Sequence, residues 1–158
     1  MRNFLIRPIR YQAVAKYLSK ILIILAVLQL APIAVSIIYQ EFSLTVIYII
    51  VTPFIFIIGY FGDKKLPEVD LDIKEALVLA SFIYFILSLI MATVWTFDGL
   101  PFLDALFEAM SAATTTGLST LPIESLSRTT LFTRSFVQWI GGLSIVVLTI
   151  SVLIGPGT

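Results

Sequence analysis

Four stretches of this sequence, residues 21–39, 42–62, 76–97 and 135–154, contain no charged side chain. A helix needs ~20 apolar residues to cross the hydrocarbon core of a bilayer, and each stretch is about that long. Inside a membrane every backbone N–H and C=O must be satisfied within the protein, and a helix does this segment by segment. The chain therefore reads as an all-α integral membrane protein with four transmembrane helices. Composition agrees: 59% of residues are apolar and 13% charged, with a mean hydropathy of +1.04, far from the balance of a soluble domain. Cysteine and histidine are absent. That removes disulfides, thiol nucleophiles, imidazole bases and the usual transition-metal ligands together, so neither an enzyme nor a cofactor is expected. The N-terminus does not read as a cleavable signal: its basic region is long, no small-residue cleavage site follows the first apolar stretch, and a second stretch comes at once.

Charge distribution orients the chain. Arg2, Arg7, Arg10, Lys16 and Lys20 precede the first span, and Lys64, Lys65 and Lys74 lie between the second and third. Only Arg128 and Arg134 fall on the other side, so eight of the ten cations share one face, which the positive-inside rule makes cytoplasmic. The expected location is the cell membrane, multi-pass, with both termini in the cytoplasm. Glu41, Asp98, Asp104, Glu108 and Glu124 go to the outer side, and the zero net charge conceals this polarity. Such an acidic surface either concentrates cations at a pore mouth or is ordinary solvated loop and helix-end charge.

Residues 1–20 form a basic cytoplasmic segment interleaved with Phe4, Leu5, Ile6, Ile9, Tyr11 and Tyr17. It either lies on the inner leaflet, drawn to anionic lipid headgroups, or begins the first helix and acts as a topology signal alone. Residues 21–62 read as a transmembrane hairpin closed by a tight outer turn at Gln40-Glu41-Phe42-Ser43, with Pro53 expected to kink the second helix. A cytoplasmic loop over 63–75, marked by turn residues at Gly62 and Pro67, leads to a helix, loop, helix unit over 76–158.

Within that unit, residues 100–119 are apolar but too short to span, and they end in Thr114-Thr115-Thr116-Gly117-Leu118-Ser119. Asp98 is placed to cap a short helix, with Pro101 in its first turn. A helix over 101–113 reaches roughly 20 Å at ~1.5 Å per residue, against a core about 30 Å thick. It stops inside the membrane, and residues 114–119, at most ~3.6 Å each when extended, climb back as a re-entrant pore loop. Their carbonyls lack helical partners, and stacked carbonyls can replace the water shell of an alkali cation. Gly117 supplies the positive φ that an alternating backbone needs. The threonine hydroxyls offer further ligands or bonds to neighbouring backbone, and the negative end of the short helix's dipole favours a cation. Against this stand an interfacial helix with an outer loop, and a threonine nucleophile that has no base beside it.

Phe107-Glu-Ala-Met-Ser-Ala-Ala-Thr-Thr-Thr-Gly-Leu-Ser119, followed by Arg134-Ser-Phe-Val-Gln-Trp-Ile-Gly-Gly-Leu-Ser-Ile-Val-Val147, resembles the first pore repeat of the TrkH/KtrB/HKT superfamily of potassium transporters. Residues 71–80 are similar to the start of that repeat's first helix, and the preceding hairpin resembles the extra N-terminal helix pair of TrkH members. The resemblance implies K⁺ as the transported ion, no cofactor, and a selectivity filter of backbone carbonyls around a glycine that aligns with Gly117. Thr114, Thr115, Thr116 and Gly117 would then contact the ion, and Leu118 and Ser119 would complete the outer turn. Glu108 would either buttress the loop through hydrogen bonds or stand as an exposed outer carboxylate, with Asp104 facing solvent. Gln138, Trp139, Gly141 and Gly142 would pack the last helix. Arg134 would snorkel to the interface or pair with Glu124 or Glu108.

Family members place four such repeats around one pore in a single polypeptide. This sequence has one, followed by Gly155-Pro-Gly-Thr158. The expectation is an N-terminal portion of a longer transporter, a truncated or split gene product, or a subunit that assembles with three others. The implied partners are the remaining three pore repeats, membrane lipid and a cytosolic nucleotide-binding regulatory subunit, with no nucleic acid. The alternative to a pore-forming part is a non-conducting membrane interaction subunit.

Overall fold

The structure, a computed structural model, describes residues 8–122 and 126–154. Arg2, Phe4, Leu5, Ile6, Arg7, Glu124 and residues 155–158 lie outside the described residues. Six helices and no strand are found among the described residues: α1 (Tyr11–Leu28), α2 (Leu30–Ile38), α3 (Phe42–Lys65), α4 (Ile73–Phe97), α5 (Phe102–Ala113) and α6 (Arg128–Ile154). Four stretches are long and apolar enough to cross a membrane: α1 with α2, α3, α4, and α6 over Arg128–Val147. The all-α membrane architecture is therefore as expected, although three of the four helices start earlier than the uncharged stretches do.

Neutralised charge explains the early start of α1. Lys16 lies one and a half turns inside the helix and is only 3% exposed. Its stem is buried, while its ammonium pairs with Asp63 at 2.8 Å and Glu68 at 3.1 Å and donates to the Asp63 carbonyl oxygen, a snorkelling arrangement at the C-terminal end of α3. Lys20 also reaches Glu68, at 2.9 Å. At the start of α4, Asp72 and Glu75 form a capping box, and the buried Glu75 takes the Arg10 guanidinium at 2.8 Å. The basic segment is thus continuous with the hairpin from Tyr11 onward and is tied to the α3–α4 connection.

A single turn residue, Gln29, separates α1 from α2. Three residues later comes Pro32, which has no N–H to offer the Leu28 carbonyl and so interrupts the hydrogen-bond ladder there. Pro53, by contrast, sits inside α3, which continues through it as one helix. The first two spans pack together, with α1 and α2 both against α3. The hairpin meets the rest of the chain through α1 on α4 and α2 on α6, and α5 packs against both α4 and α6. Trp95, Tyr48, Leu44 and Met91 fill the shared core, with Ala105, Ala109, Ala112 and Ala113 presenting the small face of α5. Small residues let helices approach closely where lipid supplies no hydrophobic drive. Large apolar side chains such as Phe42, Ile50, Phe54 and Val147 point outward, as a lipid-facing surface requires.

The connection from α4 to α5 corrects one sequence expectation. Asp98 does not cap the short helix: Pro101 occupies that position and no side chain caps it. Instead the Asp98 carboxylate accepts from the hydroxyls of Ser127 at 2.7 Å and Thr130 at 2.8 Å, bracing the start of α6. Two nearby hydroxyl donors take the carboxylate in place of the α5 N–H groups. Asp98→Ala strands the fully buried Thr130 hydroxyl and should cost about 2 kcal/mol. Asp98→Asn, which keeps one acceptor, should cost less; thermal unfolding of the two variants in detergent measures the difference.

Candidate functional site

The expected ion-contact residues follow α5 directly. That helix has 12 residues, about 18 Å at 1.5 Å each. It ends on an αL residue: Thr114 stays near the helical region, but Thr115 has φ +59°, and its N–H bonds the Ala112 carbonyl at 3.0 Å. Glycine usually takes this position. A β-branched residue there is strained by roughly 1–3 kcal/mol, a cost that tends to be retained at functional sites. Gly117 also has positive φ, +77°, as the sequence suggested. Nothing in the sequence marked Thr115 for a positive φ.

The helix terminates against the midpoint of α6. A methyl group at Gly141 would overlap the Ala113 carbonyl oxygen, with the carbonyl carbon 2.9 Å away, so only glycine admits the end of α5 here. Tyr84, near the middle of α4, donates to the Gly141 carbonyl oxygen at 3.3 Å and bonds the Ser144 hydroxyl at 2.8 Å. From this point the loop ascends along α6. A Cβ at Gly142 would sit 3.7 Å from Thr115 Cγ2, a Cβ at Gly117 would sit 3.4 Å from Gln138 Nε2, and Arg134 Nη2 donates to the Leu118 carbonyl oxygen at 3.0 Å and the Gly117 carbonyl oxygen at 3.4 Å. Gly142, Gln138 and Arg134 are spaced one helical turn apart, so Thr115, Gly117 and Leu118 climb antiparallel to α6 over about 12 Å.

Glu108 holds this ascent from the α5 side. It is 1% exposed and accepts from the Ser119 hydroxyl at 2.7 Å, the Thr120 N–H at 2.8 Å and Arg134 Nε at 2.8 Å. Of the two partners open to Arg134 in the sequence, Glu108 pairs with it here, and Glu124 lies outside the described residues. The carboxylate and guanidinium together bridge α5, the loop after it and α6, and charge-assisted bonds of this kind are the strong ones. Asp104 is half-buried in the first turn of α5. Sequence reading missed Ser111, a buried residue whose hydroxyl donates to the Leu118 carbonyl oxygen at 2.6 Å.

Consequently the carbonyl oxygens of Gly117 and Leu118 are engaged by Arg134 and Ser111, whereas among the described residues no hydrogen bond ends on those of Thr114, Thr115 or Thr116. Residues 114–120 are all exposed. The Thr114 hydroxyl donates to the Met110 carbonyl oxygen and bonds the Thr116 hydroxyl, both at 2.8 Å. No cluster of three or more acidic side chains suited to a metal ion occurs among the described residues, so any cation held here would be held by backbone and hydroxyl oxygen.

Comparison with known proteins gives this geometry a family. Residues 60–158 match the TrkH family, described as a cation transport protein. An uncharacterized cation transporter of Methanocaldococcus jannaschii is 33% identical over 150 residues, covering 93% of this chain and 31% of the relative. The Trk system potassium uptake protein TrkG of Escherichia coli is 35% identical over 130 residues, covering 78% of this chain and 27% of the relative. The crystal structure of the potassium transporter TrkH from Vibrio parahaemolyticus superposes with a TM-score of 0.82 at 23% identity, covering 95% of this chain and 33% of that one. The chain thus spans about a third of the length of these relatives. With a family match over the whole helix, loop, helix unit and a shared fold, the chain belongs to the TrkH family of cation transport proteins.

Proposed function

We propose that residues 76–158 contribute one of four pore loops to a K⁺ selectivity filter, with the hairpin over 21–62 packed beside it. In this reading α5 is a re-entrant pore helix, the outer face is the side of Glu41 and Arg134, and both termini are cytoplasmic. K⁺ moves down its electrochemical gradient through carbonyl oxygens of Thr114, Thr115, Thr116 and Gly117, with Glu108, Leu118 and Ser119 supporting the loop. The observation that carries the reading is the loop's ascent along α6 from its midpoint, exposed, with three successive carbonyls that accept no hydrogen bond among the described residues. Buried within a bilayer, such carbonyls would each cost several kcal/mol; an alkali cation in a ring of them satisfies both parties.

One loop cannot surround an ion, so the other three come from further repeats or further subunits. The potassium uptake named for the Escherichia coli relative supports K⁺ as the ion. A cytosolic nucleotide-binding partner remains an expectation of the family, placed on the face that carries Lys64, Lys65 and Lys74.

Gly117→Ala tests the proposal. Its Cβ meets Gln138 at 3.4 Å, and φ +77° is strained for any L side chain, by about 1–2 kcal/mol. The protein should therefore still fold and reach the membrane while K⁺-limited growth and Rb⁺ uptake by the complete pore assembly are lost. Unchanged Rb⁺ uptake would sink the proposal.

A further inference from the structure

We propose that Glu41, in the outer turn of the N-terminal hairpin, is a positioning residue for the ion filter: it holds the start of α6 so that Arg134 stays seated on the loop carbonyls. The inference rests on the transport reading above and adds to it a role for a residue outside the pore repeat.

The first N–H groups of a helix have no partner within it. In α6 every one of the first three is taken. Arg128 and Thr129 donate to the two Glu41 carboxylate oxygens, each at 2.9 Å, and Thr130 donates to the Ser127 hydroxyl at 3.1 Å. Ser127 is the local cap, and its own hydroxyl hydrogen goes to Asp98. Glu41 comes from 87 residues away in sequence. Burial pushes its carboxyl up, but the N–H bonds from Thr129 and Arg128, with the Arg128 charge nearby, outweigh this and hold it below the usual carboxylate range. A negative group at a helix N-terminus is also favoured by the helix dipole.

Solvent at the outer surface could have satisfied those N–H groups. What water cannot do is fix where α6 sits relative to the hairpin. The two oxygens of one rigid carboxylate, each bonded to a successive N–H, set both height and rotation of the helix. Tyr48 of α3 repeats the tie one turn further in, donating to Thr133 at 3.1 Å. The next residue is Arg134. It lies six residues beyond Arg128, about 9 Å along the axis, and its contacts with the loop are 3.0 and 3.4 Å. Hydrogen bonds are lost beyond about 3.5 Å, so a slide of α6 by about half an ångström releases the loop on this side. The hairpin thereby sets the height at which Arg134 holds the Gly117 and Leu118 carbonyls, just above the three unbonded ones.

The test compares wild type, Glu41→Gln and Glu41→Asp in the complete pore assembly, reading membrane expression, Rb⁺ uptake and its competition by Na⁺. Glu41→Gln offers one acceptor instead of two and should reach the membrane and still conduct, with preference for K⁺ over Na⁺ reduced by about fivefold or more. Glu41→Asp keeps the charge on a shorter arm and should show a smaller loss in the same direction. If Glu41→Gln does not accumulate, Glu41→Asp alone decides. Variants that lose stability while selectivity is unchanged would show a purely structural cap and overturn the proposal. Should Gly117→Ala also leave Rb⁺ uptake intact, the transport reading itself fails; loss with Gly117→Ala but unchanged selectivity in the Glu41 variants refutes only the role of Glu41.

Discussion

Arg134→Ala should destabilise the complete assembly by about 3–5 kcal/mol, because it leaves the Glu108 carboxylate buried without its cation. Glu108 is 1% exposed and Arg134 14%, so water reaches neither freely, and the remaining bonds from Ser119 and Thr120 satisfy hydrogen bonding without neutralising charge. The Leu118 and Gly117 carbonyls lose their donor at the same time, and ion flux should disappear with stability. Arg134→Lys should recover part of the stability and less of the flux, since an ammonium can pair with Glu108 but cannot also fork onto the loop. Replacing both charges by methionine should be milder than either single loss, because no unpaired charge then remains buried. Unfolding midpoints in detergent, with Rb⁺ uptake in cells, check all three. Near-additive losses in the double variant would contradict the pairing.

Gly141→Ala should be nearly as damaging through packing alone. The added methyl meets the Ala113 carbonyl at the end of α5, and backbone at a helix terminus cannot swing aside as a flexible side chain can. Overpacking of this kind costs about 1–3 kcal/mol, and relieving it pushes α5 off α6, displacing Thr114 and Thr115. Gly142 supplies the control: its Cβ would lie 3.7 Å from Thr115 Cγ2, an ordinary contact. Gly142→Ala should therefore be tolerated in stability and transport. Equal effects at the two glycines would mean that α5 does not end against Gly141.

Much of the helical plan was legible because runs without charge are a local signal. Helix ends were less so. Lys16 read as outside the first span, yet it lies within α1 because Asp63 and Glu68, far along the chain, neutralise it. Arg134 sits inside α6 for the same reason, with Glu108 as its partner. The site was legible in part. Gly117 announced its positive φ by lacking a side chain, whereas Thr115 adopts one that its β-branched side chain argues against. Asp98 looked like the cap of α5 by spacing but serves α6, since the choice depended on which hydroxyls the fold brought near.

What the sequence determined by itself is the membrane class, the number of spans and the shortness of α5, because each depends on residues close together in the chain. Tertiary structure decided the rest: that α5 ends at the middle of α6, that Glu108 and Arg134 clamp the loop between them, and that Glu41 holds a helix 87 residues away. Those contacts depend on how the helices are set against one another. A charge written in the sequence shows that a partner is needed, and only the packed fold shows which one it meets.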